Sequence, residues 1–161
     1  MALTKLNNQS LSAVTSAGIP IRTGSVLQVV YHENDTAGAQ ITSASFVAVS
    51  GLSASITPIS TSSKILVLVN SHVYNTVAGV EANLTIYRDS TNIGDPQGIT
   101  SAYTGVSTDN IMPMSMQVLD SPSSTSSLTY AVYIRRNQGS NYCQINLRQG
   151  KQSITLMEIA G

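Results

Sequence analysis

The stretch "KILVLVNSHVYN", residues 64–75, decides the fold class. Ile65, Val67, Val69 and Val73 recur at period two, which places them on one face of a strand, and Leu66 and Leu68 fall on the other. A strand that is apolar on both faces is buried on both sides. It is either central in its sheet or covered by another subunit. Leu66 and Leu68 are therefore the expected subunit-interface residues.

Outward from this segment the chain reads as short strands between turn residues. Upstream stand "VLQVVYH" (26–32), the polar loop "ENDTAGAQ", and two strands, "SASFVAVS" (43–50) and "SASITP" (53–58). Downstream, "EANLTIYRDS" (81–90) runs into a turn region rich in Gly and Pro that ends near Gly98. In "IMPMSMQVLD" (111–120), Met112, Met114, Met116 and Val118 form a period-two stripe, which is core packing. Pro113 pushes the start of that strand toward a sheet edge. After the loop "SPSSTSS" come "LTYAVYIRRN" (128–137), "YCQINLRQ" (142–149) and "SITLMEIA" (153–160). Their connections, "QGSN" and "GK", are short and contain Gly, so antiparallel hairpins are expected. Cys143, Ile145 and Leu147 are expected on a buried face, with Gln144, Asn146 and Arg148 on a polar one. The sum predicts an all-β antiparallel fold, a sandwich or a jelly roll, over residues 25–161.

Residues 1–24 differ: small, polar and sparsely apolar, with Gly18, Pro20 and Gly24 opposing regular structure. Leu3, Leu6, Leu11 and Val14 make a partial stripe of a short helix. The segment reads either as a tail or as an extended or partly helical arm that orders against a partner, with those four residues as its anchor.

Composition narrows the function classes. The 161 residues carry only 10% charged side chains and a formal net charge of zero. Such a chain lacks the basic field that binds nucleic acid or an anionic membrane. Ser and Thr supply about a quarter of the residues, a polarity common on extracellular and particle surfaces. No apolar run reaches the ~18 residues of a membrane span, and the N-terminal stretch is a poor secretory signal. The single cysteine, Cys143, permits no intrachain disulfide and reads as a small buried apolar side chain.

Chemistry-bearing constellations are sparse, and no catalytic, cofactor or metal residue is assigned. His32 beside Glu33, Asn34 and Asp35 has ligand residue types, but neighbours on a strand face opposite ways, so a solvated strand end is expected. His72 is expected at the sheet surface or in a subunit contact. Arg135 and Arg136 point to opposite faces, one covering an apolar rim and the other pairing with a carboxylate. Asn83-Leu84-Thr85 fits a glycosylation acceptor, yet it reads as strand, with Leu84 and Ile86 inward and Asn83, Thr85 and Tyr87 on the other face. Asp89 and Asp95 form at most a remote cation pair. A carbohydrate-binding module would need a tyrosine-lined groove, for which Tyr31, Tyr74, Tyr87, Tyr103, Tyr130, Tyr133 and Tyr142 are all candidates.

Four segments, "MALTKLNNQSLSAVTSAGIP", "STSSKILVLVN", "LTIYRDSTNIGDP" and "SITLMEIAG", together resemble small structural proteins of tailed bacteriophages. The shared order is an arm, an "SSKI" strand, an "hxRDGTxIG" hairpin and a last strand near "TLMEI". Here Ser90 stands where Gly is more usual. The resemblance implies a jelly-roll head similar to those of complement-component and tumour-necrosis-factor proteins, which form trimers. It further implies a non-enzymatic homotrimer on a virion surface, made in the bacterial cytoplasm and in contact with other virion proteins. Capsid decoration or a head fibre is the favoured placement, since no shaft or heptad repeat precedes the head. A tail-fibre tip that recognises a host glycan or protein is the alternative.

Overall fold

The structure, a computed structural model, describes residues 22–105 and 110–161. The anchor positions Leu3, Leu6, Leu11 and Val14 lie outside the described residues. The elements, in chain order, are β1 (Val26–Asn34), β2 (Gln40–Ile41), β3 (Val47–Ile56), β4 (Lys64–Asn75), β5 (Glu81–Arg88), β6 (Thr91–Asn92), β7 (Thr100–Tyr103), β8 (Asn110–Asp120), β9 (Leu128–Gln138), β10 (Cys143–Ile145) and β11 (Gln152–Ile159). All described elements are strands, and every pairing is antiparallel.

Two sheets face each other. Sheet A runs β1-β11-β4-β8, with β10 continuing the edge of β4 beyond β11 and β2 pairing with β10. Sheet B runs β3-β9-β5, with β6 and β7 sharing the far edge of β5. The chain therefore visits A with β1, B with β3, A with β4, B with β5 and β7, A with β8, B with β9, and A with β11. That alternation between two sheets is the jelly-roll path. The inner faces meet through Ile65, Val67, Val69, Met116 and Leu156 from sheet A, against Leu52, Ile56, Leu84, Val132 and Ile134 from sheet B. Met112, Met114, Met116 and Val118 belong to this core or pack against it, as their period suggests. Pro113 sits in β8, an edge strand paired only with β4, which is where a sheet tolerates a residue without an N–H.

Three local expectations are corrected. One strand, β3 (Val47–Ile56), stands where two were expected over 43–50 and 53–58, and its register with β9 shifts between Ala48 and Ser53. Gly51 causes the irregularity: its φ is +73°, and a Cβ there would fall 2.1 Å from Asn34 Nδ2. The C-terminal hairpins do not form. β9 lies in sheet B while β10 and β11 lie in sheet A, in line along one edge of β4. Between them the chain makes a tight excursion, with Asn146 and Gln149 in the left-handed region at φ 53° and 54°. Asn146 N–H donates to the His72 carbonyl at 3.0 Å, which stitches the excursion to β4. Finally, β10 has no polar face, since Cys143, Gln144, Ile145 and Asn146 are all buried. The 36–38 loop covers it: Gln144 donates to the Gly38 carbonyl (2.7 Å) and Asn146 to the Thr36 carbonyl (3.1 Å).

Polar latches close one end of the sandwich, flanking Ile65 of β4, whose ladder partners are Glu158 on one edge and Asp120 on the other. Asp120, at the end of β8 in sheet A, accepts from Arg88 at 2.8 and 2.6 Å and from the Tyr130 hydroxyl at 2.7 Å. Arg88 and Tyr130 both belong to sheet B, so this cluster ties the layers together. Glu158, fully buried, accepts from Gln28 Nε2 at 2.6 Å and from the Ile59 amide at 2.8 Å, joining β11, β1 and the loop after β3. Burial raises the carboxyl pKa. The Ser63 and Gln28 side chains and the Ile59 and Ser60 amides outweigh burial and leave the pKa below its ordinary value.

Tyr130→Phe is expected to cost about 1 kcal/mol, the worth of one hydrogen bond, whereas Asp120→Ala is expected to cost about 3 kcal/mol because it strands Arg88 and Tyr130. Urea unfolding of the two variants checks the ranking. Because the folded pKa of Glu158 is depressed, its stabilisation is present above the ordinary carboxyl value of 4.5 and lost as pH falls through the folded value. Replacing Glu158 with Gln is therefore expected to flatten the loss of stability below that pH, read as the acid dependence of the thermal midpoint.

Candidate functional site

Two outward faces hold the features that a solvated sandwich surface would not need. The first is the outer face of sheet A. Register places Val29, Met157, Leu66 and Leu119 in one row across four strands, and Tyr31, Thr155, Leu68 and Gln117 in the next. Val26 and Ile159 begin a further row at its corner. Val26, Val29, Tyr31 and Leu119 are 53, 54, 59 and 53% exposed, and only two other large hydrophobics among the described residues, Ile59 and Tyr103, are comparably bare. Leu66 and Leu68, fully outward from the core, are half-buried by their row neighbours. Charge is confined to the margins: Lys64 at one end, and at the other Glu33, which pairs with Lys151. That pair is exposed and screened by salt, so it adds little to stability. His72 continues the outward row beyond Asn70, opposite Pro113. Burial lowers its pKa, so it is neutral near pH 7.

The second is the outer face of sheet B. The segment 91–99 folds back over β5. Asn92 Oδ1 accepts from Thr85 at 2.7 Å and from the Gly94 amide at 3.0 Å, while the Asp95 carboxylate caps the Gln97 amide at 2.8 Å. Gly98, at φ +111°, brings the loop so close that a Cβ would lie 2.9 Å from the Leu84 carbonyl oxygen. Asn83 and Thr85 are consequently buried, although they face away from the core. Asn83, 3% exposed, cannot serve as a glycosylation acceptor in the folded chain. Its Nδ2 donates to the Gln97 carbonyl at 2.5 Å, and its Oδ1 has no partner.

Arg135 sits opposite Asn83 in the ladder. Its guanidinium donates to Gln97 Oε1 at 2.9 Å and lies 4.7 Å over the Phe46 ring, while its buried Nε is unpartnered. Tyr87 and Tyr133 stack with centroids 3.9 Å apart, and Phe46 meets Tyr87 edge-on at 6.5 Å. Beside this aromatic group opens a shallow cleft of about 410 Å³ lined by Glu81, Asn83, Gln97, Ser101 and Asn137 together with Gly98, Ile99 and Thr100. The exposed Tyr103 stands next to Glu81 in the ladder at its rim.

The sequence-level candidates thus separate. Of the seven tyrosines, the structure joins Tyr87 with Tyr133 and Tyr74 with Tyr142, buries Tyr130, and leaves Tyr31 and Tyr103 bare on opposite sheets. Neither arginine has the expected role: Arg135 stacks on Phe46, and Arg136 donates to the Asn141 carbonyl at 2.7 Å rather than to a carboxylate. His32 is exposed and lies 3.0 Å from the Gly51 carbonyl. Among the described residues no group of three His, Cys, Asp or Glu is arranged to hold a metal ion. Sequence reading did not find the cleft, since Glu81, Gln97 and Asn137 come from three segments with no shared motif.

No protein-family model matches the chain, and no curated protein matches it. Solved structures of related shape include a chain of the T13 particle of infectious bursal disease virus, at 18% identity over 83% of this chain and 31% of that chain, with a TM-score of 0.45. The Gx strain of the same virus gives 16% identity over 99% of this chain and 49% of that one, TM-score 0.46. The CBM22-1 xylan-binding domain of Paenibacillus barcinonensis Xyn10C gives 13% identity over 88% and 99%, TM-score 0.33. The chain spans less than half the length of the viral chains it matches. At this level of similarity none of the three bears on what the chain does.

Cys143 is buried, and its thiol pKa is pushed up to about 11 by that burial. It is expected to resist a disulfide reagent such as DTNB at pH 8 in the folded protein and to react fully in denaturant. The rate of thiolate release measures both.

Proposed function

We propose that the chain is a non-enzymatic structural subunit of a virion surface, assembling as a homotrimer through the outer face of sheet A. The single observation that carries this reading is the apolar, charge-poor band of Val26, Val29, Tyr31, Leu66, Leu68, Leu119 and Met157 across four strands. Contiguous bare apolar surface of this kind marks an interaction site rather than a solvated face. A second copy of this chain is the occupant that fits. The band carries no charge that would repel its own image, and the flanking Glu33 and Lys151 are balanced in sign at its margin. Burying these side chains would supply the non-directional stabilisation, roughly 25 cal/mol per Å², on which obligate oligomers depend.

The count of three and the bacteriophage setting rest on the four sequence segments that resemble tailed-phage structural proteins. In this reading residues 1–24, with Leu3, Leu6, Leu11 and Val14, attach the trimer to a capsid or tail surface. The head then stands outside as a decoration or short fibre.

Light scattering on the eluting protein is expected to give three times the 17.0 kDa chain mass. The double variant Leu66→Asp/Leu68→Asp is expected to elute as a folded monomer, because both positions face away from the core. A monomeric wild type would sink the assembly reading, and a stable dimer would sink the count of three. Removal of residues 1–24 is expected to leave the oligomer intact and to abolish its recovery on particles.

A further inference from the structure

From a separate surface, and independently of the assembly reading, we infer that the cleft on the outer face of sheet B binds a neutral saccharide. Its polar groups are the Glu81 carboxylate, the Asn83, Gln97 and Asn137 amides and the Ser101 hydroxyl, with Gly98, Ile99 and Thr100 completing the wall. Vicinal sugar hydroxyls both donate and accept, and flat carboxylates, amides and guanidinia match them because they offer paired acceptors or donors at fixed spacing. The rim supplies the complementary apolar element. Tyr103 is 55% exposed beside Glu81 and presents a ring against which the C–H face of a pyranose packs.

Unused hydrogen-bonding capacity points the same way. Among the described residues six buried side-chain atoms have no partner, and two of them, Asn83 Oδ1 and Arg135 Nε, lie on one ladder pair, of which Asn83 lines the cleft. One is an acceptor and the other a donor. Buried polar groups left unmatched are costly, so a site that retains such a pair is poised to gain from a group able to do both. A hydroxyl is such a group. Gln97, whose side chain is exposed, now bonds both residues: its backbone carbonyl accepts from Asn83 and its Oε1 from Arg135. Its side chain is the movable member, because the backbone bond holds the loop while the Oε1 contact is replaceable by a ligand oxygen.

Other ligand classes fit less well. An anion such as a phosphate would meet the Glu81 carboxylate in the cleft. An apolar ligand would bury these polar groups without partners. Asn137 donates to Glu81 at 3.0 Å, which fixes the carboxylate's direction without neutralising it.

The test is a panel of neutral hexose and N-acetylhexosamine oligosaccharides, with sulfated and sialylated analogues and a short-peptide set as comparators, applied to the full chain. The best neutral ligand is then titrated by calorimetry and by amide chemical shifts. Expected are preferential binding of a neutral sugar, shift changes centred on Asn83, Gln97, Ser101 and Asn137, and at least a tenfold loss of affinity in Tyr103→Ala and in Glu81→Gln, with the oligomer mass unchanged. Silence across the neutral panel, preference for anionic or peptide ligands, shifts mapping to sheet A, or full affinity in both variants would each overturn the inference. Measuring the mass in the same samples keeps its failure distinct from failure of the assembly reading.

Discussion

Strand β4 is the constraint on which the molecule is built. It is hydrogen-bonded along both edges, to β8 from Ile65 to Asn75 and to β11 and then β10 on the other side. Its inward residues Ile65, Val67, Val69 and Val73 are buried, while Leu66 and Leu68 emerge on the opposite face, with no second layer over them among the described residues. One strand thus serves two hydrophobic interfaces. The inner one is completed by sheet B. The outer one is left for another surface, and the apolar residues that β1, β8 and β11 add in register make it continuous.

Sheet B uses its outer face differently. There the chain itself provides the cover, as the 91–99 loop folds back and buries Asn83 and Thr85. Polar residues are tolerated beneath it because turn amides and side-chain amides satisfy most of their bonds, and the exceptions gather at Asn83 and Arg135. The two faces therefore divide by physics. A bare apolar, nearly uncharged band is suited to non-directional association, and a polar cleft with fixed hydrogen-bonding geometry is suited to directional recognition. The Asp120 cluster and Glu158 hold the layers in the one alignment that keeps both faces intact.

Much of the fold was legible because burial imposes period two. The stripes in β4, β5 and β8 named their inward residues, and Cys143 was correctly expected inside. The errors have a common cause. Turn composition says that the chain reverses or breaks, not which sheet it joins next, so "QGSN" and "GK" were misread as hairpins. Gly51 marks a bulge only once Asn34 is seen against it. Gln144 and Asn146 follow a polar pattern, yet they are buried because a loop more than a hundred residues earlier covers them. The outward pair Leu66 and Leu68 was readable as surplus apolar character, but its continuity with Val29, Tyr31, Leu119 and Met157 required the register.

The sequence by itself determined the class: an all-β sandwich, poor in charge, with one buried thiol and one strand apolar on both sides. It could do so because side-chain alternation and composition are local properties of the chain. Tertiary structure alone decided the jelly-roll path, the rows of the sheet A face and the cleft that gathers Glu81, Asn83, Gln97 and Asn137. Those depend on which distant strands pair and in what register, and the energy that selects them comes from contacts between segments, which no single segment records.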